Sequence, residues 1–307
     1  MSAASEAGTP FTLKATGRVA RRQRLSRMSR WVLFSATMLA VFVLVYLLQD
    51  VVRLGWERLT WDFLTSYPSR RPLEAGLRSS LLGWFWLMGA VIVMAVPLAI
   101  GSALFIEEFA PRNWFTELVR LNISNLAGVP SIIYGILGLA VFVRGFDLWG
   151  ITIFPKLGPT ILAGALTLTL MILPMTIIAS VEAIRQVPPS IRDGSLALGA
   201  TQWQTVWHHI LPGAIPGIMT GVILAIARAA GETAALIMIG AFAFIAFDNT
   251  SLMQSFTTVP IQIYNWTTLP QEAFRVNAAA GIIVLMTLVV GLNLIAVVIR
   301  EKFRRSW

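Results

Sequence analysis

Residues 214–247 read AIPGIMTGVILAIARAAGETAALIMIGAFAFIAF, and Arg228 and Glu232 are the only charges in the run. A helix needs about 20 mainly apolar residues to cross a hydrocarbon core about 30 Å thick. Read as one helix, the run therefore crosses a membrane and tilts or projects beyond it. Each charge costs about 2.5–3.5 kcal/mol at a helix centre, so a chain that keeps two there has a use for them. Four residues apart on one helix, Arg228 and Glu232 share a face, where they either neutralise each other or jointly line a path for a charged solute. Gly231, between them, admits a neighbouring helix, and Thr233 adds a hydroxyl.

Working outward, five more apolar stretches have spanning length: Trp31 to Gln49, Ser79 to Ile106, Leu121 to Val143, Pro159 to Val181 and Asn277 to Ile299. All are too long for strands of a membrane barrel, which are about 10 residues of alternating character. The expected class is all-α, with six transmembrane helices in a permease domain over residues 31–307 and a basic tail before it at 1–30. Of the 307 residues only 13% are charged, and 56% are hydrophobic; a soluble chain carries about 25% charge. With no Cys and two His, there is no disulfide framework, thiolate nucleophile or evident metal site. No P-loop, HExxH or GxSxG motif occurs, so the chain reads as no enzyme, with neither a metal nor a cofactor of its own. The first span is preceded by basic residues, but no small-residue pair follows it, and it reads as an uncleaved anchor. Pro97, Pro130 and Pro174 fall inside spans and should kink them, and Ser131 and Tyr134 share a turn in VPSIIYG, residues 129–135.

Six spans place both termini on one side. The N-terminal tail, the loops after spans two and four and the C-terminal end carry 15 of the 24 Lys and Arg on that side, against eight opposite, so the positive-inside rule puts both termini in the cytoplasm. The net charge of +9 sits beside span ends, which fits lipid headgroups and not nucleic acid. Two external segments, Asp50 to Arg78 and Asp248 to Val276, hold Trp56, Trp61, Phe63, Tyr67, Phe256, Tyr264 and Trp266; the expected role of these rings is anchoring at the outer headgroups, with docking of an external partner the other reading.

The cytoplasmic segment from Glu182 to Pro212 reads EAIRQVPPSIRDGSLALGATQWQTVWHHILP. Pro188 and Pro189 forbid continuation of span four. A short helix is expected from about Ser190 as N-cap, Gly199 permits the φ > 0 turn that ends it, and Thr201 caps a second helix that runs to about Leu211. The segment then lies across the cytoplasmic face over residues 183–212.

DGSLALGATQWQTVWHHILP, residues 193–212, resembles the EAA loop of bacterial ABC-importer permeases. Asp193, Gly194 and Ser195 stand where E-A-A would, Gly199 at the motif's Gly, and Leu211-Pro212 at its end; His209 replaces the Ile. The resemblance narrows to phosphate-importer permeases of PstA type on PSIIYGILGLAVF (130–142), LTLTLMILP (166–174), GVILAIARAAGETAAL (221–236), VPIQIYNWTTLPQEAF (259–274), AAAGIIVLM (278–286) and WDFLTSYP (61–68). Glu74-Ala75-Gly76-Leu77 departs from the Gly-Gly-Ile expected before span two.

The resemblance implies a MetI-like type I importer fold in the bacterial inner membrane. It implies a PstC-type permease as heterodimer partner, an ATPase subunit dimer that uses the ATP, and a periplasmic phosphate-binding protein. It assigns ATPase coupling to Asp193, Gly194, Ser195, Leu196, Ala197, Leu198, Gly199, Ala200 and Thr201, and the translocation path to Arg228, Glu232 and Thr233. A phosphate that keeps a proton donates to Glu232, which a fully ionised oxyanion cannot do. The alternatives are a permease for another oxyanion, such as sulfate or molybdate, and a membrane sensor or scaffold that transports nothing.

Overall fold

The computed structural model describes residues 18–242 and 244–302. It divides into two units, Met1–Asp50 and Val51–Trp307. In the first unit the described residues form only helix α1, Arg18–Gly55, which runs on into the second. From Arg18 to Leu54 there is neither Pro nor Gly, so nothing interrupts about 57 Å of helix at 1.5 Å per residue. The basic tail expected over 1–30 is thus helical from Arg18; its first 17 residues lie outside the described ones.

In the second unit α2 (Trp61–Thr65) precedes α3 (Arg78–Leu104), which continues through a π-helical turn at Phe105–Phe109. Next come α4 (Trp114–Ala127), α5 (Ser131–Gly138) with its own π turn at Leu139–Val143, and a hairpin of β1 (Phe146–Leu148) and β2 (Ile151–Phe154). Then follow α6 (Ile161–Arg185), α7 (Pro189–Ala197), α8 (Gln202–Thr205) and α9 (Leu211–Ala230). The last three are α10 (Ala234–Met238), α11 (Val259–Thr268) and α12 (Glu272–Lys302). The hairpin pairs Phe146 with Phe154 and Leu148 with Ile151, and Trp149 and Gly150, at φ 50° and 83°, form the turn that matches strand twist.

α6 is the central helix, packed between α3 and α9. Apolar side chains gain little by leaving lipid for one another, so close backbone approach carries helix packing in a membrane. The chain supplies small residues where that approach occurs. A Cβ on Gly221 would fall 2.3 Å from that of Ala179, and one on Gly217 2.7 Å from that of Ala183. Pro97 and Pro174 sit inside α3 and α6 without ending them.

Among the described residues five helices are long and apolar enough to cross a membrane, or six if one bent pair is counted as a span. The bent pair covers the span expected from Leu121 to Val143 and is broken where Pro130 was expected to kink it. α4 and α5 meet at 103°, because Gly128 caps α4, Val129 precedes a proline and is driven to extended geometry, and Pro130 is the N-cap of α5. The Tyr134 hydroxyl donates to the Leu126 carbonyl at 2.8 Å and ties the elbow.

The aromatic loops are corrected in part. Phe63, Trp266 and Phe274 are buried in a second core with Ala75, Leu77, Ala278 and Ala280, and Phe256 is buried in the main one. Trp56, Trp61 and Tyr264 do face outward. Arg58 pins this core: it donates to Asn277 Oδ1 at 2.9 Å and to the carbonyls of Pro72, Leu73 and Ala75 at 3.2, 2.8 and 3.0 Å, and stacks over Phe63. These rings are spent on an internal core because the two loops meet and bury each other.

Candidate functional site

The run that opens the sequence reading is not one helix. α9 stops at Ala230, with Gly231 as C-cap, and α10 begins only at Ala234. Gly231 is a poor helix former, and the Glu232 carboxylate accepts from the Ala235 amide at 3.2 Å, capping the short helix beyond it. After α10, Gly240 at φ 84° turns the chain, and the described residues from there to Thr258 are irregular backbone. Apolar composition alone does not make residues 241, 242 and 244–247 helical.

Irregular backbone packed against apolar helices needs hydrogen-bond partners from its neighbours, and α3 provides them. Trp84 Nε1 donates to the Ala230 carbonyl at 2.9 Å, which serves an oxygen that the end of α9 leaves free. Ser79 Oγ donates to the Ile245 carbonyl at 2.6 Å and Trp86 Nε1 to the Asn249 carbonyl at 2.9 Å. At Gly83 a Cβ would fall 2.2 Å from the Thr257 carbonyl oxygen, so only glycine lets the loop lie against α3 there.

The break separates the charges expected on one face. Arg228 is in the last turn of α9 and exposed, with Nη1 3.9 Å from Met175 Sδ of α6, and Tyr134 of α5 lies within its field. Glu232 is beyond the helix and half-buried, and among the described residues Arg228 has no carboxylate partner within 4.0 Å. Thr233 lies in the break, its hydroxyl donating to the Gly231 carbonyl at 3.4 Å. α10 approaches α5 so closely that a Cβ on Gly135 would fall 2.8 Å from Ala235 Cα. The arrangement is a cationic group presented beside a helix break, in contact with Met175. Tyr134 stood out in the sequence, whereas nothing there marked Met175 or Trp84.

The segment before α9 follows its expected turn chemistry with two corrections. Pro188, not Ser190, is the N-cap of α7, with Pro189 in its first turn, where a missing amide costs nothing. Pro212 does not end the second helix. α8 passes through a π turn at Val206–Ile210 into α9, and the wider turn relieves the clash a proline makes in a regular helix. Gly199 has φ 85°, and Thr201 and Gln204 form a capping box at α8. Asp193, Gly194, Leu196, Ala197, Leu198 and Gly199 are exposed and Ala200 half-buried; Leu198 is 91% exposed. Ser195 is buried, its hydroxyl 2.9 Å from that of Thr205.

Behind α7, the Glu108 side chain is only 4% exposed and receives Arg192 at 2.5 and 3.1 Å. That bond holds the Arg192 guanidinium more firmly in its charged form, against the opposing effect of burial. Neither glutamate of the adjacent pair Glu107-Glu108 was singled out in the sequence, where two acids at a helix end look like a solvated terminus.

Residues 95–305 match the family described as binding-protein-dependent transport system inner membrane component. The chain belongs to this family. It is 31% identical to phosphate transport system permease protein PstA 1 of Mycobacterium tuberculosis over 91% of this chain and 90% of that one. It is 33% identical to the probable ABC transporter permease protein YqgI of Bacillus subtilis over 81% of this chain and 87% of that one. A crystal structure of a bacterial ABC transporter for alginate import shares the fold, with a TM-score of 0.63 at 16% identity, covering 92% of this chain and all of that one. This permease is therefore a multi-pass component of a bacterial ABC importer in the inner membrane, with the MetI-like fold. It is not the catalyst; ATP hydrolysis sits in a separate ATPase.

Proposed function

We propose that this permease is the PstA-type half of a phosphate importer, paired with a PstC-type permease, an ATPase dimer and a periplasmic phosphate-binding protein, with both termini cytoplasmic. Arg228 carries the reading: it is an exposed guanidinium in the last turn of the apolar helix α9, with no carboxylate partner within 4.0 Å among the described residues, and its planar donors suit the oxygens of a phosphate. Glu232 and Thr233 lie in the adjacent break, and a second Glu232 lone pair can accept from the proton a phosphate retains. The relatives named for phosphate transport support the same substrate. The basic bias of the loops supports the orientation. The exposed residues from Asp193 to Gly199, with Ala200 and Thr201, form the surface on which the ATPase docks, and the chain binds no cofactor itself.

The test is uptake of radiolabelled phosphate by proteoliposomes holding the complete transporter. Arg228→Ala should abolish uptake while the complex still assembles, and Arg228→Lys should keep part of it. Exchanging Arg228 and Glu232 should not restore it, because the two side chains are not paired. Full uptake by Arg228→Ala, or displacement of phosphate by sulfate at equal concentration, refutes the reading.

A further inference from the structure

The π turn that ends α3 carries Glu107 and Glu108 side by side, and they serve different parts of the molecule. Glu107 receives Arg120 of α4 at 2.9 Å and Arg185, the last residue of α6, at 3.1 Å. Arg120 also donates to the Ile106 carbonyl at 2.9 Å. Glu108 receives Arg192 of α7 through two bonds, and the Glu108 carbonyl oxygen accepts from the Gln202 side chain of α8. Phe109, next in line, packs on Trp203 of α8 at 6.0 Å between ring centroids.

We propose that Glu107 and Glu108 form a two-sided clamp that passes movement of α7 and α8 to the membrane helices α4 and α6. The proposal rests on the reading of α7–α8 as the segment on which the ATPase docks. An apolar contact between helices slides under load, whereas a two-bond carboxylate–guanidinium pair fixes distance and orientation together. At 4% exposure the Glu108 carboxylate is hardly screened by solvent. The extra residue of the π turn is part of the device. Helix positions advance by about 100° per residue, and the inserted residue sets the rotation at which one carboxylate meets α7 while its neighbour meets α4 and α6; such turns recur at functional sites. Beyond Glu107 the route continues along α6, which carries Met175 beside Arg228. Glu108 and Arg192 are thus positioning residues, which touch neither nucleotide nor solute.

The experiment uses the complete reconstituted transporter and reads two quantities, ATPase co-purified with the permease and ATP hydrolysed per phosphate imported. Glu108→Gln and Arg192→Gln should retain the ATPase and raise the ATP used per phosphate at least tenfold, and Glu107→Gln should act in the same direction. Arg192→Lys, which keeps one charged contact, should show a smaller rise, and it remains readable if the Gln variants fail to accumulate. Leu198→Asp, on the docking surface, should instead lose the ATPase. If Leu198→Asp still holds the ATPase, the docking reading fails and the clamp loses its premise. If Leu198→Asp releases it while the Gln variants and Arg192→Lys keep the normal ratio, the clamp alone is refuted.

Discussion

Replacing Trp84 by Phe tests whether the break that presents Arg228 is held from outside. The indole is 2% exposed and its Nε1 is the partner of the Ala230 carbonyl. Phe keeps an aromatic ring but has no donor. A buried carbonyl left without a partner costs about 1–3 kcal/mol, and the room left by the smaller ring adds about 1 kcal/mol. The sum, about 2–4 kcal/mol, falls on local opening of the α9 terminus. Hydrogen exchange in the amides around residues 229–235 should therefore speed up by roughly 30- to 700-fold, at 1.4 kcal/mol per factor of ten. Phosphate uptake should fall with it, since Arg228 is two residues before Ala230. Trp86→Phe is the internal control. Trp86 makes a bond of the same length to Asn249 but is 40% exposed, so its loss should cost about 1 kcal/mol or less and leave residues 229–235 protected. Unchanged exchange at 229–235 in Trp84→Phe, or equal effects from the two variants, would show that α9 ends where it does without help from α3.

Gly199→Val should uncouple ATP hydrolysis from uptake: no atom within 4 Å would oppose its Cβ, so the whole effect comes from φ 85°, which a β-branched residue resists. Gly199→Asn, which tolerates that conformation, should keep coupling, and equal behaviour of the two would refute the turn argument. Arg78 hydrogen-bonds the Asp248 carboxylate and holds its pKa below the ordinary range, opposed by partial burial and assisted by Tyr67. A depressed carboxylate stabilises above its unfolded pKa, about 3.9, and the contribution is lost as pH falls through the lower folded value; melting curves of wild type and Asp248→Asn should therefore differ at neutral pH and converge in acid. The native chain has no Cys, so Ser5→Cys and Arg305→Cys should resist an impermeant thiol reagent in intact cells while Arg70→Cys reacts; labelling at 305 would overturn the proposed orientation.

What the sequence determined by itself is what local chemistry controls. Pro188-Pro189 stops a helix and Gly199 permits a left-handed turn wherever they stand, and Thr201 and Gln204 have the spacing of a capping box before anything packs on them. Uninterrupted apolar length identified a membrane chain, and the motif around Asp193 to Pro212 pointed to the family. Tertiary structure decided where apolar length is not helix. The end of α9 at Gly231 and the irregular backbone after Gly240 depend on Trp84, Ser79 and Trp86, far away along the chain, because a carbonyl in an apolar surround accepts whichever donor geometry brings. The same holds for charge. Arg228 and Glu232 read as a pair while the helix is assumed and part once it breaks, whereas nothing in the spacing of Glu107 and Glu108 announces Arg120, Arg185 and Arg192, which only folding brings to them. Spacing along the chain specifies neighbours on one helix; partners on different helices are specified only by packing.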